Sequence, residues 1–232
     1  MTRPPRGTSQ LALDLPHQPD YRAERFAVSE ANASALALVN RWPRWRAGHL
    51  LLIGPRGSGK THLASMWRER TGALSLEAGA VGARLKDVAR GAAVLVEDCD
   101  HGVDEDGLFH LINRAAGDAG VTVLMTAGSP LDEWPVQLAD LASRLAAAET
   151  AVLNEPDDAL LRQVLEKLFQ DRRTPLSRGV IEYLLVHMER SVDFARLLVG
   201  ELDRAALARQ GPVTRTLARD ALAALSTPVE DT

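Results

Sequence analysis

The chain has 232 residues, of which 46% are apolar and 25% charged, as is typical of a soluble globular protein with one large or two small domains. Its net charge of −4 shows no basic excess and argues against direct, sequence-specific DNA binding, and its single cysteine excludes an internal disulfide and fits a reducing cytosol. No apolar run reaches the roughly 18 residues of a membrane span and no signal peptide opens the chain, so we expect a cytoplasmic protein without membrane contact.

The first 20 residues contain four prolines and are expected to form an extended tail. This tail holds a glutamine followed by alternating leucines: Gln10, Leu11, Leu13 and Leu15. A short extended peptide of this kind can fill an apolar groove on a partner protein, and exposed leucines need such a cover. The alternative is a strand that docks onto its own domain.

From residue 29 to residue 154, short apolar runs alternate with helical segments. We expect helices at 29–40, 60–70, 81–89, 107–116 and 136–148, and strands at 50–53, 73–76, 92–96, 121–125 and 151–153. Strands separated by helices of this length form a parallel sheet with helices on both faces, so the fold class is α/β.

The pattern changes after Pro156, where Asp157 is placed to cap a helix. Four helices and no strand are expected from here on, at 157–171, 177–188, 192–209 and 214–225. We therefore predict a tail over 1–20, an α/β domain over 21–154, a small all-α domain over 155–226, and a short tail over 227–232.

A phosphate-binding loop follows the first predicted strand. Its motif G-x-x-x-x-G-K-T is formed by Gly54, Pro55, Arg56, Gly57, Ser58, Gly59, Lys60 and Thr61. Glycines let successive N–H groups point at an anion, Lys60 supplies charge for the phosphates, and the Thr61 hydroxyl can ligate Mg²⁺. A chance glycine-rich turn is disfavoured by this strand–loop–helix setting. The motif predicts binding of ATP or ADP.

The apolar strand 92–96 delivers two carboxylates, Glu97 and Asp98, to the sheet edge where ligands bind. We assign Glu97 to the Mg²⁺ ion and Asp98 to the attacking water, although many such ATPases carry Asp first and Glu second. The alternative is a solvated acidic turn, because four more acids follow: Asp100, Asp104, Glu105 and Asp106.

Two further residues are candidates for catalysis. Thr126, just past a predicted strand, can reach a γ-phosphate or the water, or it can be a turn residue before Gly128. Arg144 lies at an exposed helix end, where it can reach a neighbouring subunit's nucleotide more easily than its own. The alternative for Arg144 is a surface arginine paired with Asp140.

Taken together, the phosphate loop, the Glu-Asp strand and the four-helix appendage resemble an AAA+ ATPase of the bacterial replication-initiator clade. Within that clade, residues 21–28 and 139–145 are similar to DnaA and to its Hda-type homologues. Since the sequence stops soon after the helical segment, we expect no counterpart of the helix-turn-helix domain of DnaA. The tail segment 10–15 looks like the sliding-clamp-binding motif of Hda-type proteins.

The resemblance implies a regulatory function. Hda-type proteins, held on the sliding clamp (the β subunit of DNA polymerase III), promote hydrolysis of DnaA-bound ATP and so prevent repeated initiation of replication. By position, Arg144 matches the arginine finger that acts in trans. Phe26, Ala27 and Val28 match the segment against adenine, and His62 and Arg196 join the candidate nucleotide contacts. Self-association or hetero-association through an AAA+ interface stays open.

The sequence departs from this family at the lid arginine that senses phosphate, whose place is taken by Asp193. Arg190 or Arg196 could substitute for it. With the Glu97–Asp98 order, this predicts slow ATP turnover by the chain itself, which would act mainly as an activator of the DnaA ATPase. The alternative is an autonomous ATPase such as a helicase loader; a small-molecule kinase is disfavoured because the last four helices resemble an AAA+ lid.

Overall fold

The computed structural model describes residues 26–226, so the tail segment 10–15 lies outside the described residues. Within that range the chain forms five strands: β1 (His49–Ile53), β2 (Leu74–Glu77), β3 (Ala93–Glu97), β4 (Thr122–Ala127) and β5 (Glu149–Val152). It also forms nine α-helices: α1 (Ala33–Asn40), α2 (Lys60–Thr71), α3 (Val81–Arg84), α4 (Glu105–Ala116), α5 (Ala139–Ala146), α6 (Asp158–Arg172), α7 (Val180–His187), α8 (Val192–Arg209) and α9 (Arg215–Ser226).

All five strands form one parallel sheet in the order β2-β3-β4-β1-β5, which confirms the predicted α/β class. The strand β1 lies between β4 and β5, and all five of its residues are buried. This explains its unbroken apolar run, because a strand covered on both faces does not alternate with polar residues. The parallel arrangement brings the carboxyl ends of the strands to one edge of the sheet.

Side-chain alternation along β1 separates the two layers that cover the sheet. Leu50 and Leu52 pack with residues of α1 and α2, whereas Leu51 and Ile53 pack with residues of α3, α4 and α5. The two layers are held by separate apolar clusters, so the sheet has helices on both faces as predicted.

The last four helices enclose an apolar cluster of their own, which includes Leu165, Leu184, Leu198 and Leu217. The longest of them, α8, has the bounds predicted from the sequence. Among the described residues, the structure contains no helix that combines the length and the apolar character needed to cross a membrane.

Several predicted boundaries differ from the structure. The helix expected from residue 29 begins at Ala33, because the Ser29 side chain bonds the Ala31 amide and Asn32 folds back on Ser29. The helix expected over 81–89 ends at Arg84 and continues as a 3-10 turn. The helix expected from residue 136 begins at 139, and β5 begins at 149 instead of 151.

The predicted cap of α6 is present. The Asp157 carboxylate accepts a 2.7 Å hydrogen bond from the Leu160 amide. Although partial burial raises the pKa of this carboxyl, hydrogen bonds from Leu160, Ser29 and Ala31 and the charge of Arg190 hold it below its ordinary value. Asp157 therefore connects the start of α6 to the segment before α1.

We expect Asp157→Ala to lower the free energy of unfolding by about 1 kcal/mol, because an N-cap acceptor is lost. Asp157→Asn keeps an acceptor and should lose less. Since the folded pKa is depressed, the charge contributes stability above the ordinary value of 3.8 and this contribution disappears as the pH falls through the folded pKa. Urea unfolding at neutral pH and below pH 4 checks this; a wild type–Asn difference that is unchanged in acid would contradict it.

Candidate functional site

The phosphate loop occupies the setting that its motif requires. It leaves β1 at Ile53 and enters α2 at Lys60, with Gly59 in the left-handed region at a φ of 101°. Thr61 is exposed in the first turn of α2. The start of this helix and the carboxyl end of β1 therefore meet at the sheet edge, as an anion-binding loop needs.

The ammonium group of Lys60 is turned toward its own loop. It donates hydrogen bonds to the carbonyl oxygens of Gly54 at 2.6 Å and Pro55 at 3.1 Å. Burial lowers the pKa of Lys60, and three carboxylates oppose this shift: Asp98, Asp100 and Asp193. Three carboxylates therefore act on Lys60, and a phosphate bound to this lysine would be exposed to the same negative charges.

At the same edge, Glu97 ends β3 and Thr126 lies near the end of β4. Alternation along these strands places both side chains on the face covered by α2, because Leu95 and Leu124 pack on that face. Burial raises the pKa of Glu97, the neighbouring Asp98 adds to this, and Arg68 of α2 opposes it. Glu97 and Thr126 therefore face the layer that carries Thr61.

Thr126 is a buried strand residue and not a turn residue. Its hydroxyl oxygen accepts a 3.1 Å hydrogen bond from the amide of Asp98. Asp98 itself is exposed and in the left-handed region at a φ of 56°. The two predicted catalytic residues are thus brought together, and Thr126 fixes the backbone that presents the Asp98 carboxylate.

Three acids that follow Asp98 hold loops instead of facing solvent. Asp100 accepts hydrogen bonds from the amides of Gly128 and Ser129, at 2.8 and 3.0 Å. Although burial raises its pKa, these bonds hold the pKa of Asp100 below its ordinary value. Asp104 caps α4 and also accepts from the Gly82 amide, and Glu105 bonds the start of α5. A solvated acidic turn does not describe this segment.

The phosphate loop touches the start of α8. The Val192 amide donates a 2.9 Å hydrogen bond to the carbonyl of Gly57, and Ser191 caps α8 through the Phe194 amide. A Cβ atom on Gly57 would lie 2.7 Å from the Ser191 Cβ, so only glycine fits there. The phosphate loop and the start of α8 are therefore in direct contact at Gly57.

The residues around the expected lid arginine have different partners. Arg190 forms a 2.7 Å ion pair with Asp158 at the start of α6. Arg196 forms a 3.1 Å ion pair with Asp193 and lies 3.5 Å from the Nδ1 atom of His62 on α2. Of the two arginines, Arg196 is therefore the one beside the phosphate-loop helix.

The segment expected to lie against adenine also reaches α2. The Phe26 ring makes an edge-to-face contact with His62, with ring centroids 5.2 Å apart. Val28 is 45% exposed, and its carbonyl lies 3.4 Å from the Gln163 amide nitrogen of α6. The structure thus brings Phe26, His62 and Arg196 together, while Val28 lies at the junction with the bundle.

Arg144 lies at the opposite edge of the sheet. Its backbone carbonyl is 3.2 Å from the Nε2 atom of His49, the first residue of β1, whereas the phosphate loop follows the last. Five strand residues span about 16 Å, farther than an arginine side chain reaches. The exposed guanidinium lies over the Phe109 ring of α4, 5.3 Å from its centroid. The contact of the guanidinium within the described residues is therefore with α4.

Comparison with solved structures shows which known folds this one is similar to. Domain III of the replication initiation protein DnaA from Thermotoga maritima is 19% identical, with a TM-score of 0.72 over 92% of this chain and 100% of that chain. A RuvB variant from Thermotoga maritima is 15% identical, with a TM-score of 0.71 over 90% of this chain and 73% of that chain.

A third similar structure is the replication initiator DnaA bound to AMPPCP and single-stranded DNA. It is 17% identical, with a TM-score of 0.65 over 83% of this chain and 69% of that chain. No protein-family model matches the chain. The AAA+ fold predicted from the sequence is confirmed, and its likeness to DnaA and to RuvB is about equal.

Sequence reasoning missed the contacts of Ser191 and Phe109. Ser191 could have been found as a serine that immediately precedes a predicted helix, which is a cap signal, but its contact with Gly57 depends on tertiary structure. Phe109 carries no motif, and only the packing of α4 against α5 places it under Arg144.

We expect Gly57→Ala to separate the loop from α8 and to abolish hydrogen-exchange protection of the Val192 amide, because the added Cβ displaces Ser191. Gly91→Ala is the matched control: Gly91 has nearly the same φ, 73° against 74°, and open space around it. Adding Ser191→Gly to Gly57→Ala should restore protection. Equal protection in the wild type and in Gly57→Ala would show that the contact is not formed in solution.

Proposed function

We propose that this chain is a nucleotide-binding regulator of replication initiation that is held on the sliding clamp and promotes hydrolysis of DnaA-bound ATP. The observation that carries the proposal is the position of Arg144, exposed at the amino edge of the sheet and a strand length from its own phosphate loop. An arginine so placed serves a nucleotide in another molecule.

The chain's own nucleotide, ATP or ADP, would bind at the phosphate loop. Thr61 is exposed and Glu97 faces the same layer, so the oxygens of these two residues suit a Mg²⁺ ion. Bound there, Mg²⁺ would neutralise phosphate charge. The adenine would lie near Phe26 and His62, between α2 and the start of the bundle.

The residues of the helical bundle near the phosphate loop favour nucleotide binding over ATP hydrolysis by this chain. Asp193 stands near Lys60, where an arginine would stabilise a γ-phosphate, and its charge opposes added negative charge. Arg196 is engaged by Asp193, and Arg190 by Asp158. The bound nucleotide would therefore mainly fix the bundle against the loop, and ATP hydrolysis by the chain alone would be slow.

The clamp contact is assigned to the tail residues Gln10, Leu11, Leu13 and Leu15 on the strength of their pattern. An extended segment that presents an amide and alternating leucines suits an apolar groove. The tail would hold the chain beside DNA, where DnaA carries its ATP.

We expect Arg144→Ala to reduce the stimulation of DnaA-bound ATP hydrolysis by roughly 10³-fold or to the unstimulated rate, because a finger arginine stabilises charge on the transferring phosphate. Arg144→Lys should restore little, since an ammonium lacks the planar fork of a guanidinium. The measurement is single-turnover release of phosphate from DnaA–ATP with DNA-loaded clamp.

Arg178→Ala, at an exposed arginine of the bundle, is the control and should stimulate like the wild type. The chain without DnaA gives the baseline, which we expect to be low. Full stimulation by Arg144→Ala would refute the role in trans, and rapid baseline turnover would favour an autonomous ATPase.

The clamp contact has its own test. Capture of the full chain on immobilised sliding clamp should be lost in a Gln10→Ala, Leu13→Ala double variant, because both the amide and an apolar anchor are removed. The matched control is Gln18→Ala, which changes a glutamine in the same tail outside the motif. If the double variant is captured as well as the wild type, the tail is not the tether.

A further inference from the structure

Four arginines gather at the amino edge of the sheet, on the side of the α1 and α2 layer; we call them the arginine patch: Arg41, Arg44, Arg46 and Arg70. The first three of these arginines lie on the loop between α1 and β1, and Arg70 lies in the last turn of α2. The loop crosses the amino ends of three strands. It contacts Glu149 of β5, leads directly into β1, and reaches Thr122 of β4 through Trp42.

Two tryptophans anchor this loop. The indole N–H of Trp42 donates to the Thr122 hydroxyl, and that of Trp45 donates to the Leu38 carbonyl, both at 2.9 Å. Trp45 is buried and stacks on Trp67 of α2. Both indoles bond the body of the protein, whereas Arg44, between the two tryptophans in the chain, and Arg46, directly after the second, are exposed.

The four arginine side chains differ in their hydrogen-bond partners. Arg41 bonds both oxygens of Glu149, at 3.1 and 3.4 Å, and Arg70 bonds Asn40 and the carbonyl of Val39 at the end of α1. Arg70 complements the last turn of α1 and Arg41 pairs with β5, and both are ordinary structural roles.

Arg44 and Arg46 have no such role. Both are exposed, and within residues 26–226 their side chains form no hydrogen bond or ion pair. Glu149, the acid that contacts this loop, is already bonded to Arg41. The patch therefore carries a local positive excess that the net charge of −4 conceals.

We propose that the arginine patch contacts the sugar–phosphate backbone of duplex DNA without reading its sequence. Guanidinium groups match phosphate oxygens in a bidentate geometry, and phosphate contacts carry no base information. A loop held by one buried and one partly buried tryptophan loses little conformational freedom on binding, so a few contacts can give measurable affinity.

The proposal rests on the proposed function for the source of the DNA, which is the duplex threaded through the clamp. A tether raises the effective concentration of a weak site to the order of millimolar, so the patch would act although the free chain binds weakly. The helix that carries Arg144, α5, packs on the other layer of the sheet.

The test uses the full chain and a fluorescein-labelled duplex of about 20 base pairs in two unrelated sequences, titrated by anisotropy between about 50 and 200 mM salt. We expect weak binding that is equal for both sequences. In Arg44→Ala, Arg46→Ala, the slope of log K against log salt should fall by about 2, with about tenfold weaker binding at the lowest salt.

Two variants serve as controls. Arg178→Ala, Arg204→Ala removes the same charge from exposed arginines of the bundle and should bind like the wild type. Arg44→Lys, Arg46→Lys keeps the charge and should retain the slope. Urea midpoints confirm that each variant is folded.

No binding at about 50 mM salt, or an unchanged slope in the double alanine variant, would overturn the proposal. It is also overturned if that variant keeps its DNA affinity but stimulates DnaA-bound ATP hydrolysis less, because the patch then belongs to a protein interface. Failure of the Arg144 or clamp experiments leaves these titrations unaffected, since they contain neither DnaA nor clamp.

Discussion

The hydrogen bond from the Val192 amide to the Gly57 carbonyl is the contact on which the arrangement of the site depends. The sheet layers and the helical bundle have separate apolar clusters, so few contacts fix one against the other. This bond places the start of α8 on the phosphate loop. It thereby places Asp193 at the site, where its charge joins those of Asp98 and Asp100 in opposing the effect of burial on the pKa of Lys60.

The two edges of the sheet differ in charge. The carboxyl edge presents Glu97, Asp98 and Asp100, and the amino edge presents exposed arginines. Overall composition hides this separation, since 27 basic and 31 acidic residues nearly cancel. In a parallel sheet all strands start at one edge and end at the other, so residues that are far apart in the chain come together at each edge.

The order of strands and helices could be predicted because its signals are local. Apolar runs mark the strands, and caps mark helix starts, as Asp157 does for α6. The bounds of α8 in the structure are the predicted ones. The late start of α5 could not be predicted, because Glu105 holds the Gln137 and Leu138 amides from a distant helix. The phosphate loop followed from its motif, whereas the contacts of Ser191 and Phe109 depend on packing that no motif encodes.

The bonds between Glu105 and the start of α5 have a mechanical consequence. Glu105 is the first residue of α4, which carries Phe109, and it bonds the start of α5, which carries Arg144. One carboxylate therefore links the two helices whose side chains form the Arg144–Phe109 contact. Because these two helices are held together, the guanidinium of Arg144 keeps one position. If a partner bound there, little conformational entropy would be lost on binding.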